Sequence, residues 1–146
     1  MTGSYLLDVN LLLALCDPRH VHHECAHRWF HGIGKQEWAT CPITENGFIR
    51  IASQPRYPNS PGGVAVVKAV LREFCSSPRH VFWPDAITLM DGRLFPEGFL
   101  LRSSQITDVY LLALAVSNKG KLATIDTTIP AAAVIGGRKA LELIPM

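Results

Sequence analysis

Two aspartates in the C-terminal half of the chain lie at positions where a carboxylate destabilises the fold, which suggests a functional role. From Ser103 to Asn118 the only charged residue is Asp108, and apolar neighbours surround it on nearly every side of a predicted buried helix. An unpaired buried charge is expensive, and the helix macrodipole offsets only about 0.3–1 kcal/mol. The strand predicted over 121–125 ends at Asp126, and open α/β sheets bind ligands at the carboxyl ends of their strands. Both carboxylates therefore point to one crevice.

Two further acids follow predicted strands earlier in the chain. Asp8 comes directly after the apolar run 4–7, and Glu45 lies in the first turn of a helix that follows the strand predicted over 36–41. Each has a purely structural alternative. An aspartate at this position caps the following helix, and a glutamate in a first turn is favoured by the macrodipole.

Taken together, the four acids predict a metal site. In a parallel sheet, the positions after strand ends share one edge, so Asp8, Glu45, Asp108 and Asp126 are expected to converge. A pair of like charges at ~4 Å costs about 4 kcal/mol at an effective dielectric constant of about 20. Mg²⁺ or Mn²⁺, hard ions that prefer carboxylate oxygen, relieve that repulsion. Such ions activate water and hold the oxygens of a phosphodiester during displacement.

The elements that must position these acids alternate along the chain. Strands are predicted over 4–7, 36–41, 79–83, 121–125 and 141–144, and helices over 11–16, 21–32, 43–52, 63–75, 103–118 and 129–134. Thr44 is the expected N-cap of the third helix, and 136–137 is expected to be a loop. Alternating strands and helices predict an α/β fold with a parallel sheet flanked by helices. The 146 residues are expected to form a single domain.

The second predicted helix carries a different motif, which offers an alternative chemistry. His23, Glu24 and His27 match the HExxH pattern, in which two histidines four residues apart bind zinc and the glutamate acts as a base. The extended ligand pattern of the metzincins is absent after it. A polar, solvated helix face is therefore favoured over a zinc protease.

Composition narrows the remaining classes of protein. Hydrophobic residues make up 48% of the chain and charged residues 18%, with a net charge of +2 and a mean hydropathy of +0.17. Apolar runs such as 109–116 are far shorter than the ~20 residues of a membrane span, and no signal peptide is expected. Four cysteines, Cys16, Cys25, Cys41 and Cys75, share no metal-binding spacing. Free thiols in a reducing compartment are expected, which places the protein in the cytoplasm.

Four short segments of the chain resemble a known family. The segments that carry the resemblance are Leu7-Asp8-Val9-Asn10, Pro42-Ile43-Thr44-Glu45, Thr107-Asp108-Val109-Tyr110-Leu111-Leu112-Ala113 and Ala123-Thr124-Ile125-Asp126. They look like a PIN domain and, more narrowly, like the VapC toxins of type II toxin–antitoxin systems. The resemblance covers essentially the whole chain, in the order and at the length of the family.

The resemblance implies a PIN-like three-layer α/β/α sandwich with a central parallel sheet of four to five strands. It also implies a Mg²⁺- or Mn²⁺-dependent endoribonuclease that a VapB-like antitoxin inhibits and that forms a homodimer away from membranes. Carried over to this sequence, Asp8 and Asp108 are the main metal ligands. Glu45 and Asp126 complete the catalytic pocket, and Asn10 and Thr124 orient the acids.

One alternative of a different class stays open, which is a catalytically silent PIN module that only binds RNA or protein. A missing acid would favour it, and all four acidic positions are filled. The basic residues are scattered along the chain, so their order does not identify the side that contacts RNA.

Overall fold

The computed structural model describes residues 3–146. Its centre is a five-stranded sheet in the order β3-β2-β1-β4-β5, in which every neighbouring pair is parallel. The strands are β1 (Tyr5–Leu7), β2 (Trp38–Thr40), β3 (His80–Phe82), β4 (Lys121–Thr124) and β5 (Leu141–Leu143). The predicted α/β fold with a parallel sheet is therefore confirmed.

Helices connect these strands. They are α1 (Val9–Cys16), α2 (His23–Gly32), α3 (Pro42–Ala52), α4 (Val64–Phe74), α5 (Ile106–Ser117) and α6 (Gly137–Ala140). Two short 3-10 turns, Ser103–Gln105 and Ala131–Ala133, precede α5 and α6. Within residues 3–146, none of the helices combines the length and the apolar character needed to cross a membrane.

Two hydrophobic cores lie on opposite faces of the sheet, because successive strand residues point to opposite sides. Leu6 and Leu122 pack with α5 and α6 on one face, whereas Leu7 and Ala123 pack with α1 and α3 on the other. All four strand residues are fully buried, as expected for a parallel sheet that is covered on both faces. The result is a three-layer sandwich with an almost entirely apolar centre.

The start of α3 differs from the prediction. Cys41 is the N-cap residue and Pro42 is the first helical residue, a position where proline loses no hydrogen bond. Thr44 lies three residues later, and its hydroxyl oxygen accepts a 2.9 Å hydrogen bond from the Cys41 backbone N–H. The expectation that Thr44 is the N-cap was therefore wrong by one helical turn, and its hydroxyl supports the cap from inside the helix.

Two turns near the C-terminus each contain a residue with a positive φ. Lys119, not the glycine beside it, adopts a positive φ of 57° between α5 and β4. Gly120 is required for another reason, since a Cβ there would lie 2.5 Å from the Ser4 carbonyl oxygen. The loop expected at 136–137 contains the start of α6, which follows a left-handed Gly136.

The chain changes direction across the sheet between β1 and β4. From β1 the sequence proceeds outwards through β2 to β3, and then returns to the other side of β1 through α5 to β4. A crevice forms at the carboxyl ends of the two strands that flank such a switch point. Asp8 follows β1 and Asp126 follows β4, so the fold brings these two acids to the same crevice.

Candidate active site

Asp8 has a structural task and also lines a cleft. Its Oδ1 accepts a 2.8 Å hydrogen bond from the Val9 N–H and caps α1, while its Oδ2 accepts a 2.7 Å bond from the Thr124 hydroxyl. The residue is only 6% exposed. Capping and site chemistry are therefore not alternatives here, because the carboxylate is fixed by the cap and still lines a cleft.

Thr124 and Asn10 fix the orientation of Asp8. The Thr124 hydroxyl is fully buried and has a single proton, which it donates to Asp8. Its oxygen accepts hydrogen bonds from the Asn10 side-chain amide at 3.3 Å and from the Asp126 N–H at 3.0 Å. The Asn10 amide oxygen in turn accepts a 3.3 Å bond from the Ile125 N–H. This network connects α1 to the end of β4. Because the Thr124 oxygen already accepts two hydrogen bonds, its proton is directed towards Asp8.

Asp108 lies in the first turn of α5, opposite Asp8. Burial, together with the negative charges of Asp8 and Asp126, raises the pKa of Asp108 to about 6. Burial also raises the pKa of Asp8; the hydrogen bonds from Thr124 and Val9 oppose that shift, and the Asp126 charge adds to it. The three aspartates are thus close enough for each charge to act on the others, although burial has the larger effect on both titrations.

The cleft that Asp8 and Asp108 share lies between α3 and α5 and has a volume of about 600 Å³. It is lined by Asp8, Val9, Pro42, Ile43, Asn46, Gly47, Arg50, Ile51, Thr107, Asp108 and Leu111. Asp8 lies at the floor of the cleft and Asp108 on the α5 wall. The α3 wall carries the Asn46 amide and the Arg50 guanidinium among apolar side chains.

Glu45 is not among the residues that line this cleft. Its carboxylate accepts a 2.7 Å hydrogen bond from the Thr40 hydroxyl, and the oxygen of that hydroxyl lies 2.7 Å from His80 Nε2. The Thr40 proton is used on Glu45, so His80 Nε2–H is the donor to Thr40. Burial lowers the pKa of His80, and the Glu45 charge opposes that change. Glu45 and His80 line a second depression together with Cys75, the C-cap residue of α4.

The helical phase of α3 explains the separation. Six of its residues line the cleft, namely Pro42 at its start and then Ile43, Asn46, Gly47, Arg50 and Ile51, whereas Glu45 and Ile49 line the second depression. From Ile43 onwards, the first set follows the 3-4-7-8 spacing of one helix face. The spacing groups Asn46 and Arg50 on one helix face in the sequence, but it does not indicate that this face meets the cleft. Glu45 directly precedes Asn46, so its side chain is rotated by about 100° about the helix axis and points away from the cleft face.

The HExxH histidines have structural partners. His23 Nδ1 lies 2.7 Å from the Ala14 carbonyl oxygen, and His27 Nε2 lies 3.0 Å from the Leu15 carbonyl oxygen. Both carbonyls belong to the last turn of α1, where the helix itself supplies no donors. The histidines therefore cap α1 from α2. His27 is exposed and His23 is partly buried, so the predicted polar face is solvated, and these two side chains in addition contact α1.

The acidic cleft fits a hard divalent cation better than a zinc ion. Among the described residues, no three His, Cys, Asp or Glu side chains gather closely enough to hold a metal by themselves. Mg²⁺ does not need such a cage, because it keeps several waters and binds one or two carboxylates together with substrate phosphates. Asp8 and Asp108 offer such a pair, and a cation would relieve the repulsion that raises the pKa of Asp108.

Comparisons with known proteins identify relatives of the chain. No protein-family model matches the chain. It is 45% identical over 134 residues to Ribonuclease VapC44 of Mycobacterium tuberculosis strain H37Rv, a match that covers 92% of this chain and 94% of that protein. It is 39% identical over 131 residues to Ribonuclease VapC39 of the same strain, covering 90% and 94%.

A solved structure shares the fold. The crystal structure of VapBC2 from Rickettsia felis bound to a DNA fragment from their promoter contains a chain that matches with a TM-score of 0.63 and 15% identity. The match covers 97% of this chain and 99% of that one. At that identity the likeness concerns the fold alone.

Proposed function

The chain belongs to the VapC ribonucleases, the toxins of VapBC toxin–antitoxin systems, and from that premise we propose that it cleaves RNA with a divalent cation bound between Asp8 and Asp108. The observation that carries this proposal is the pair itself, two carboxylates in one cleft at the switch point of a parallel sheet. Mg²⁺ is the proposed ion, with Mn²⁺ as a substitute, since both prefer carboxylate oxygen. When bound, the ion supplies an activated water and charge stabilisation for the phosphodiester.

The proposed roles of the remaining residues follow from their hydrogen bonds. Thr124 holds one Asp8 oxygen by donating to it, and Asn10 holds Thr124, so both act as positioning residues. Asp126 contributes negative charge beside Asp8 and Asp108 and is proposed to reach the cation through water. Glu45, which bonds to Thr40, is proposed to act on the site less directly than the three aspartates.

Partners are proposed from the same family membership. The related structure in which a VapB and a VapC protein occur together with DNA supports a cognate VapB-like antitoxin that inhibits this chain. We also propose a homodimer and single-stranded RNA as the substrate. Cytoplasmic action fits the four cysteines, all of which are free thiols.

Cleavage of RNA by the purified protein tests this function. We expect cleavage with Mg²⁺, none with EDTA, and none from Asp8→Asn, because the variant keeps the shape of the cap but loses a ligand charge. Equal cleavage by wild type and Asp8→Asn would contradict the proposal. Binding of RNA without any cleavage by the wild type would favour the silent module instead.

A further inference from the structure

The α3 wall of the acidic cleft carries one cation. Among residues 3–146, Arg50 is the only lysine or arginine that lines the cleft, and it lies one helical turn after Asn46 on the same wall. The opposite wall carries Asp108 and the floor carries Asp8. A guanidinium on one wall and carboxylates on the other give the cleft two chemically distinct sides.

The Arg50 guanidinium is not used by the fold. Arg50 is exposed, and within residues 3–146 it makes no ion pair or side-chain hydrogen bond; the two ion pairs found there join Arg93 to Asp91 and Lys121 to Glu142. The macrodipole accounts for a cation in the last turn of α3. The macrodipole does not explain why this cation lies on the face of α3 that lines the cleft, because it would favour a cation equally on any face of the last turn.

The cleft is rich in negative charge, which a cation without an ion-pair partner can offset when RNA binds. Asp8, Asp108 and the neighbouring Asp126 repel the phosphates of an RNA strand, and a single divalent ion does not neutralise three carboxylates. Arg50 supplies the missing positive charge on the wall that faces them. A guanidinium also binds phosphate through two parallel hydrogen bonds, which fixes the position of the strand as well as its charge.

We infer that Arg50 binds an RNA phosphate next to the one that is cut, with the Asn46 amide as a neighbouring hydrogen-bonding group, so that α3 sets the register of the strand over the aspartates. This inference rests on the proposed function, because it takes RNA to lie in the same cleft. Ile43 and Ile51 flank these two polar residues and provide an apolar surface for a base. Arg50 is thus a substrate-positioning residue and has no part in holding the cation.

The test compares Arg50→Ala and Arg50→Lys with Arg28→Ala, a matched removal of an exposed arginine on α2, outside the cleft. The affinity for a fluorescent single-stranded RNA is measured by anisotropy with Ca²⁺ in place of Mg²⁺, so the result does not require cleavage. We expect Arg50→Ala to weaken binding about tenfold and to reduce the slope of log affinity against log salt by about 0.7, the value for one phosphate contact on a single strand. Arg50→Lys should restore the slope but only part of the affinity, because lysine keeps the charge without the paired donors.

Two further measurements separate this inference from the function beneath it. In cleavage assays, Arg50→Ala should raise KM and leave kcat within about threefold, as expected for an interaction made equally in the ground and transition states. Its rise in melting temperature on adding Mg²⁺ should equal that of the wild type. RNA affinity and salt slope equal to those of Arg28→Ala would overturn the role of Arg50 even if the aspartates prove catalytic. Loss of antitoxin binding with unchanged RNA binding would overturn it too, and would make Arg50 an antitoxin contact.

Discussion

At the scale of single residues, the protonation of Asp108 links the acidic cleft to the stability of the fold. Its carboxyl has an ordinary pKa of 3.8 and a pKa of about 6 in the folded chain. The folded state therefore holds this proton more tightly than the unfolded state does. The resulting contribution to stability is complete below the ordinary pKa and is lost as the pH rises through about 6. The raised pKa of Asp8 acts in the same direction.

We accordingly predict that the wild type loses stability relative to Asp108→Asn between about pH 5 and about pH 7.5 when no metal is present. Urea unfolding of both proteins in the presence of EDTA measures this difference; the lowered pKa values of His20 and His80 act in the opposite direction, but they are common to both proteins and cancel. A difference that does not change with pH over this range would contradict the assignment of Asp108 as the group with the raised pKa.

Asp108→Asn also separates a ligand from a structural residue. The variant removes repulsion from Asp8 and Asp126, so without metal it should be as stable as the wild type, or more stable by about 1 kcal/mol after allowance for solvent screening. It should lose nearly all RNA cleavage. Added Mg²⁺ should raise the melting temperature of the wild type more than that of the variant, because a ligand stabilises only the state that binds it. A variant that unfolds easily but keeps its activity per folded molecule would make Asp108 structural.

Glu45 provides a third residue-scale prediction. Its carboxylate bonds to Thr40 and lines a depression other than the cleft. We expect Glu45→Gln to change the Mg²⁺ affinity by less than about threefold, since the ion is bound through its one or two closest carboxylates. Calorimetric titration of Mg²⁺ into both proteins makes the comparison, with Asp108→Asn as the positive control. An equal loss in both variants would place Glu45 in the metal site.

At the scale of elements, α2 stabilises α1 through two side-chain caps. The rings of His23 and His27 lie 4.3 Å apart between centroids with their planes tilted by 55°, and they reach the Ala14 and Leu15 carbonyls of α1. Because α1 begins at Asp8, these contacts fix the far end of the helix that the active-site aspartate caps.

His23→Ala and His27→Ala should each lower the free energy of unfolding by about 1 kcal/mol, the usual net value of a hydrogen bond. Activity per folded molecule should stay within about threefold of wild type, because neither histidine contacts the cleft. His31→Ala, an exposed histidine of the same helix, is the control for stability. A loss of cleavage as large as that of an Asp8 variant would instead revive a metal role for the HExxH motif.

At the scale of the whole molecule, the sheet joins both halves of the chain. The first strand, β1, pairs with β2 on one side and with β4, more than a hundred residues later, on the other. We propose on this basis that residues 3–146 form one cooperative unit. Any cut between β2 and β4 separates β1 from one of its two neighbours.

Equilibrium unfolding checks the proposal of a single domain. Trp38 and Trp83 are both buried and lie in different cores, so tryptophan fluorescence samples both faces of the sheet. Fluorescence and far-ultraviolet circular dichroism should report one coincident transition in urea, as two-state domains do. Two separated transitions would show that the faces unfold independently.

The sequence by itself determined the alternation of strands and helices, the parallel sheet and the two aspartates, Asp8 and Asp108, that line the cleft. The third predicted aspartate, Asp126, does not line the cleft, although its charge acts on both. These features depend on local patterns, since hydrophobic periodicity defines an element and an acid after a parallel strand lies at the carboxyl edge of the sheet. Asp108 was identified for the same reason, as the only charge in an apolar helix.

The tertiary structure alone decided which face of each helix meets the site. The rotation of α3 about its axis sends Asn46 and Arg50 into the cleft and Glu45 towards Thr40 and His80. That rotation is set by the packing of Phe48 and Ala52 in the core between α3 and α1, which involves residues distant in sequence. The partners of His23 and His27 were hidden for the same reason, because the carbonyls that they cap belong to another helix.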